Sequence, residues 1–361
     1  MRAGLTPARN RRPVVHRPRG RSVAPAPGGG TLGGVEPLLH RAANLRAAGY
    51  GDDDIRRLLR SGVLTPVRRG AYVEQAPDDR DVCHVLLLRA ALAELGRGAV
   101  ASHVSAAVLH GLPTWGLPLE RAHVTFDRRT GGRVDDRLHV HTAPLHADDV
   151  VMVDGAAVTS WPRTVVDIAR RARFDAAVAV ADAALRAARG ADARGSPAAH
   201  ARNGSTPGRC LGSLADPETA GRSVLDAALR RAKGWPGVPA ARRVVAFADG
   251  RAESVGESRS RIAIARAGLP PPVLQLPVPL AGGTAYADFG WPEQRTLGEF
   301  DGKVKYGRLL APGQDPGDAV YDEKLREDEM RALDWAMVRW RWVDLRDFAP
   351  TAARIRSRFR S

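Results

Sequence analysis

At 361 residues the chain is long enough for two or three domains with cores of their own. Its formal net charge of +15 favours a polyanionic partner, and no apolar run approaches the ~18–20 residues that span a bilayer, which excludes a helical membrane protein. Two well-separated cysteines, Cys83 and Cys210, support neither a disulfide framework nor a thiolate zinc site, so a cytoplasmic location is the default.

The positive charge is almost all arginine, which a GC-rich genome also imposes, so charge alone suggests nucleic-acid contact without establishing it. Residues 1–34 carry seven arginines before residue 22 and no periodic apolar pattern. They read as a disordered basic arm or an over-called start, not as a secretory signal. Such an arm either adds salt-dependent phosphate affinity or does nothing.

From residue 35 to 76 the pattern changes. Leu38, Leu39, Ala42, Leu45 and Ala48 fall at helical spacing, closed by Gly49. Asp52 or Asp53 caps a second helix over 54–60 with Ile55, Leu58 and Leu59 on its apolar side. Strands over 63–67 and 71–73 follow, joined by Arg68-Arg69-Gly70. Helix, turn, helix and a two-stranded wing make a small winged helix. Arg56, Arg57 and Arg60 lie off the apolar stripe and suit a major groove, with Arg68 and Arg69 at the wing. The alternative is an interaction module with solvated arginines. The string AAGYGDDDIRRLLRSGVLTPVRRGAYV resembles the N-terminal winged helix of AbiEi-type antitoxins from abortive-infection, type IV toxin–antitoxin systems. That resemblance implies double-stranded DNA as a target, transcriptional repression, and a cognate toxin or self-association.

Residues 80–189 read as a middle α/β domain. The spacing predicts helices over 82–95 and, from a Ser102 cap, up to the break at Gly111 and Pro113. Strands are expected around 123–126, 138–141 and 152–158, then helices over 163–172 and 174–188. The strings SHVSAAVLHGL and VTSWPRTVVDIA also resemble the antitoxin family. His103, His110, His139 and His141 invite a metal-site reading, but acids at ligand spacing are missing and His139 and His141 simply alternate along a strand. Packing or capping is the expected role. Residues 190–217 lack apolar period and read as a linker or disordered insertion.

Residues 218–361 form the last predicted domain, opening with helices over 223–231 and 242–248. Segments 285–291 and 296–301 flank a four-residue turn, Pro292 to Arg295, an ordinary hairpin connection. Symmetric closure sets Trp291 across from Thr296 and Asp288 across from Glu299, with Asp301 two residues further on. Like charges about 4 Å apart repel by roughly 4 kcal/mol at an effective dielectric of about 20. Oxygen-only ligation of such a cluster favours Mg2+ or Mn2+. A helix carrying Glu257 precedes the hairpin. Taken alone, Glu257 and Arg261 make an i,i+4 surface pair. A helix over 322–333 and a strand over 336–342 follow.

The order ESVGESRSRIAIARAGL, then Asp288, then Glu299-Phe300-Asp301-Gly302, then DEKLREDEMRALDWAMVRWRW resembles the PD-(D/E)XK nuclease superfamily over residues 252–345. Its branch similar to very-short-patch-repair endonucleases is the nearest. The resemblance implies a restriction-endonuclease-like domain, with a central mixed sheet flanked by helices. Glu257, Asp288 and Glu299 would hold the ion, and phosphodiester hydrolysis by metal-activated water is the implied activity. The superfamily's lysine two places after the second acid is Asp301 here, and the very-short-patch histidine position is Lys305. Lys305 or Lys303 is then the candidate proton carrier or phosphate contact, and Asp301 a ligand or water contact. Arg326 either meets a phosphate or pairs with an acid. Trp335, Trp340 and Trp342 are expected to pack rather than stack on bases. The whole reads as a mixed α/β, multidomain, DNA-binding protein with an endonuclease-like domain. A non-catalytic antitoxin-like repressor is the alternative.

Overall fold

Segments of helical and of alternating period follow one another along the chain, and the computed structural model has the mixed α/β fold this pattern predicts, with three sheets among the described residues. The structure describes residues 38–193, 217–280, 283–302 and 333–359. Glu36–Ser361 forms one compact unit. The predicted arm 1–34, nearly all of the insertion 190–217, and most of the predicted helix 322–333 lie outside the described residues. Among the described residues no helix is long and apolar enough to cross a membrane.

The first module contains β1 (His40–Arg41), α1 (Ala42–Ala47), α2 (Asp52–Arg60), β2 (Thr65–Arg68) and β3 (Ala71–Val73), with sheet order β1-β3-β2. Leu45, Ile55 and Leu64 form its small core. The helix expected from Leu38 starts only at Ala42, because residues 40–41 pair with β3 and Leu38 is exposed. Helix α2 begins two residues earlier than expected. Asp52, Asp53 and Asp54 all fall in its first turn, where carboxylates favour the helix dipole, and Asp54 Oδ2 accepts the Gly51 N–H at 2.9 Å.

A six-stranded sheet follows, in the order β6-β7-β5-β4-β9-β8. Its strands are β4 (Val100–Ala101), β5 (Ala122–Phe126), β6 (Arg133–Val134), β7 (Leu138–Thr142), β8 (Val150–Val153) and β9 (Ala156–Thr159). Helices α3 (Arg80–Leu95) and α4 (His103–Leu109) contribute to its core. Asp79 caps α3 by accepting from the N–H groups of Asp81 and Val82. The single strand expected over 152–158 is a hairpin instead. Asp154 and Gly155 both have positive φ, 47° and 76°, which is the Asp-Gly reverse turn that reconnects β8 to β9.

Helices α5 (Trp161–Ala169), α6 (Phe174–Ala193), α7 (Pro217–Arg231) and α8 (Val238–Phe247) share one alanine-rich core. Helices α7 and α8, which the sequence groups with the last domain, therefore pack with the middle of the chain. Small alanines let these helices approach closely, and buried ion pairs fill the remaining gaps. Arg163 joins Asp167 at 2.8 Å and Asp149 at 3.2 Å, Arg231 reaches Asp149, and Arg163 and Arg170 lie over the Trp235 ring. Asp182 of α6 is fully buried and bonds Arg261 at 2.8 Å and the Asp249 N–H at 2.7 Å.

The last part contains α9 (Val255–Arg266), β10 (Val273–Leu280), β11 (Gly283–Trp291), β12 (Thr296–Asp301), β13 (Ala336–Arg341) and α10 (Ala349–Arg356). Strand order is β10-β11-β12-β13, with β13 parallel to β12 and the other neighbours antiparallel. The hairpin closes as its length predicts, with Trp291 paired to Thr296, and Arg295 takes a left-handed φ of 50° in the turn. Strand β10 was not expected, because Pro277 and Pro279 lower its strand signal. As an edge strand it tolerates them. Trp340 is fully buried and its indole N–H donates to Ser260 Oγ at 2.8 Å, a packing role as expected.

Candidate active site

The local sequence sets up the first acid. Ser254 stands at the N-cap of α9 and its Oγ accepts the Glu257 N–H at 3.1 Å, while Glu257 returns with Oε1 accepting from Ser254 Oγ at 2.7 Å. Glu257 Oε2 accepts the Glu253 N–H at 2.8 Å. This is a serine-to-glutamate capping arrangement, which alone would account for a glutamate here. Its burial is what capping does not require: Glu257 is only 5% exposed. The turn sits deep because Gly256 lies against the Phe300 ring of β12, where a Cβ would collide with the ring.

The second acid occupies a seam. Pairing of β11 with β12 covers Trp291 to Phe289 and Thr296 to Gly298. One step further along, Asp288 Oδ2 accepts the Phe300 N–H at 2.8 Å, a donor that a continued ladder would send to a β11 carbonyl. Asp288 thus marks where the two strands part, which refines the plain ladder position expected for it. Glu299 immediately precedes that amide. Both acids are buried, and Asp301 ends the strand half-buried. In the parallel register Glu299 stands beside Arg339 and Asp301 beside Arg341, so cross-strand charge offsets part of the repulsion.

Burial, and then the nearby Asp288 charge, push the Glu257 carboxyl up to about 7. A buried carboxyl perturbed by a neighbouring acid is a recurrent property of functional sites.

Gln275 completes this group and was not singled out in the sequence. It lies across β10–β11 from Asp288, between the pairs Leu274–Phe289 and Leu276–Ala287, and donates from Nε2 to Glu257 Oε2 at 3.2 Å. Its φ of 49° is left-handed, a conformation costly for a residue with a side chain. That residue breaks the alternation of the strand, so Leu274 packs in the core shared with Phe289 and Leu276 against a different cluster. No sequence signal marks it, because glutamine has no preference for such a position.

The other expected site residues fare differently. Lys303, Lys305 and Arg326 lie outside the described residues. Arg56, Arg57 and Arg60 are exposed on α2. Arg56 pairs with Asp53 at 2.6 Å and Arg57 with Asp54, both within the helix. Arg69 is exposed at the β2–β3 turn. Arg68 is a correction. Its side chain is turned in to Glu94 of α3 at 3.1 Å and is 8% exposed, so it does not present a wing surface.

No protein-family model matches the chain. It is 30% identical over 290 residues to "Uncharacterized protein MT2308" of Mycobacterium tuberculosis strain CDC 1551 / Oshkosh, spanning 78% of this chain and 86% of that protein. The same figures hold for "Uncharacterized protein Rv2248" of M. tuberculosis strain ATCC 25618 / H37Rv. A crystal structure of the RV2827C protein from M. tuberculosis aligns at a TM-score of 0.32 with 17% identity, covering 58% of this chain and 76% of that one.

Proposed function

From the premise that the chain belongs to the family of the mycobacterial proteins MT2308 and Rv2248, we propose a cytoplasmic, DNA-binding protein with a metal-dependent endonuclease-like centre. Its substrate would be the phosphodiester backbone of double-stranded DNA. The observation that carries this reading is the buried Glu257 carboxyl, pushed up to about 7 beside Asp288, at the seam that Glu299 adjoins. The element order α9, three antiparallel strands and a parallel fourth supports a PD-(D/E)XK arrangement.

By donor type the set suits a hard divalent cation, Mg2+ or Mn2+, because it offers carboxylate oxygens and no sulfur or imidazole; the three carboxylates are not already gathered at single-ion spacing and would have to close on it. Glu257, Asp288 and Glu299 would hold it, with Asp301 adding a carboxylate for the ion or its water. When bound, such an ion would supply neutralisation of developing phosphoryl charge and a bound water that gives up its proton readily to become the hydroxide nucleophile. The chain's own residues prepare the place: Phe300 N–H fixes one oxygen of Asp288, and Gln275 with the Ser254 cap orients Glu257. Lys305 or Lys303 would neutralise phosphate or carry a proton, and Arg326 would meet a phosphate or pair with one of the acids.

Calorimetric titration of Mg2+ and Mn2+ into the protein and into Glu299→Ala tests this. Binding is expected in the parent and lost in the variant, together with any duplex cleavage. Cleavage that survives in Glu299→Ala defeats the assignment.

A second reading is favoured by Asp301 standing where the superfamily has lysine, and by the exposed arginines of α2. It is a non-catalytic antitoxin-like repressor that binds duplex DNA, alone or with a toxin partner or a second copy. Duplex binding should then persist in EDTA. Arg56→Glu and Arg57→Glu should each weaken it and flatten the plot of log affinity against log salt by about one unit. Unchanged slopes would remove α2 from the interface.

A further inference from the structure

The six-stranded sheet holds a second group of ligand-type side chains, separate in donor chemistry from the carboxylates. His123 of β5 pairs in register with His139 of β7, and His141 lies two residues along the same strand, so all three imidazoles rise from one face. His103, the first residue of α4, brings a fourth ring over them. It stacks on His141 at 3.8 Å between centroids, and His139 stacks on His141 at 3.7 Å. His141 Nε2 lies 3.1 Å from His123 Nδ1. In sequence alone His103, His139 and His141 are expected to pack, and His123 gains its partners only through the parallel register.

Other histidines of this region show what a packing role looks like. His84 is buried with one nitrogen on Leu119 O and the other on Ser105 Oγ, both at 2.8 Å, and His110 Nε2 bonds Thr159 O at 2.7 Å. The cluster differs. The candidate ligand atoms of His103, His123 and His141 all lie within 4.8 Å of one another. His103 Nδ1 is 3.0 Å from Ser102 Oγ, which accepts from Thr125 Oγ1 at 2.8 Å. Ser102 stands at the N-cap position, yet its hydroxyl makes no cap hydrogen bond and serves this contact instead. A fixed partner on one ring nitrogen is the usual outer support of a metal-binding histidine, leaving the other nitrogen for the ion.

His103 also has a φ of 52°, in the left-handed region. For a residue with a side chain that conformation is unfavourable. Such strain collects at functional sites, and here it falls on the residue that delivers the ring from outside the sheet.

We propose that His103, His123 and His141 form a binding site for one transition-metal dication of the zinc class. Three imidazoles suit zinc, copper, nickel or iron rather than magnesium or calcium. Three protein ligands leave a fourth position open, the pattern of reactive rather than purely structural zinc sites. Zinc–nitrogen bonds of about 2.0–2.1 Å put neighbouring tetrahedral nitrogens roughly 3.3 Å apart, so the His123–His141 pair is nearly in place. Closing the third ligand takes a ring movement of order 1 Å. Burial is the first cause holding His123 down to about 3 and His141 to about 2, so both rings are neutral and have lone pairs to give at pH 7.

The test is competition of the untagged full chain against a chromophoric chelator for Zn2+, with Co2+ as a spectroscopic probe. One equivalent of zinc and the intense visible bands of low-coordinate cobalt are expected. His141→Gln and His123→Gln should each lower zinc affinity more than about a hundredfold, while Glu299→Ala leaves it unchanged. Loss of zinc in Glu299→Ala with retention in His141→Gln would move the ion to the carboxylates and overturn the site. If the histidine variants fail to fold, X-ray absorption on the zinc-loaded parent decides. A first shell containing about three imidazoles upholds the proposal. An oxygen-dominated shell, or no stoichiometric zinc, overturns it.

Discussion

Replacing Asp182 with Ala is expected to lower the unfolding free energy by about 3–5 kcal/mol, a large share of the ~5–15 kcal/mol typical of a domain. Asp182 is fully buried in α6, and its two oxygens hold Arg261 of α9 and the backbone N–H of Asp249. Arg261 also donates to Phe247 O and lies over the Phe247 ring. Truncating the acid leaves that guanidinium with its charge uncompensated, which is why the loss exceeds the net worth of the pair. Replacing Asp182 with Asn keeps shape and part of the bonding, so its loss should be smaller. Urea titration of both variants measures this through the midpoint at constant slope. A loss under about 1 kcal/mol for Asp182→Ala would show that α9 is positioned by apolar packing alone. Glu257 lies one turn before Arg261 on α9, so metal affinity is expected to fall in the same variant even where it remains folded.

The second large effect is a dependence on pH. Glu257 has its carboxyl raised from the ordinary value of 4.5 to about 7 in the folded protein. Between those values the folded state binds more protons than the unfolded one, so stability falls as pH rises. The shift corresponds to about 3 kcal/mol, present below pH ~4.5 and gone above pH ~7. Glu257→Gln keeps a neutral side chain of similar shape and should abolish that slope. It should leave the metal-free protein more stable than the parent at pH 8, while weakening Mg2+ binding. Thermal unfolding from pH 5 to 8 in parent and variant is the measurement, and parallel profiles would mean that Glu257 is not the titrating group. A residue whose removal stabilises the protein is kept for something other than folding.

Much of this arrangement was legible because it depends on short-range chemistry. A four-residue turn between two apolar segments fixed the pairing of Trp291 with Thr296, and counting from it brought Asp288 to the neighbourhood of Glu299. The string ESVGESRSRIAIARAGL already reads as a helix carrying Glu257, and it is α9, while the Ser254 cap emerges only in the structure. What stayed hidden depends on distant partners. Asp182 looks like a polar interruption in an alanine helix until Arg261, 79 residues away, is placed against it. His123 acquires meaning only when β5 lies parallel to β7. Arg68 belongs to an arginine pair that reads as an exposed wing, yet Glu94 draws it inward. The β8–β9 hairpin is different: Asp154-Gly155 was a readable turn signal within a segment taken as a single strand.

Strand β10 has a consequence for how copies of the chain meet. Pro277 and Pro279 pair with Tyr286 and Thr284 at alternate positions of an edge strand. Having no N–H, they occupy sites whose nitrogen would point away from β11, so the outer rim lacks two donors in succession. An incoming strand needs those donors to extend the sheet. The β10 rim therefore resists templated growth, and a second copy adding a strand to this sheet would not do so along it.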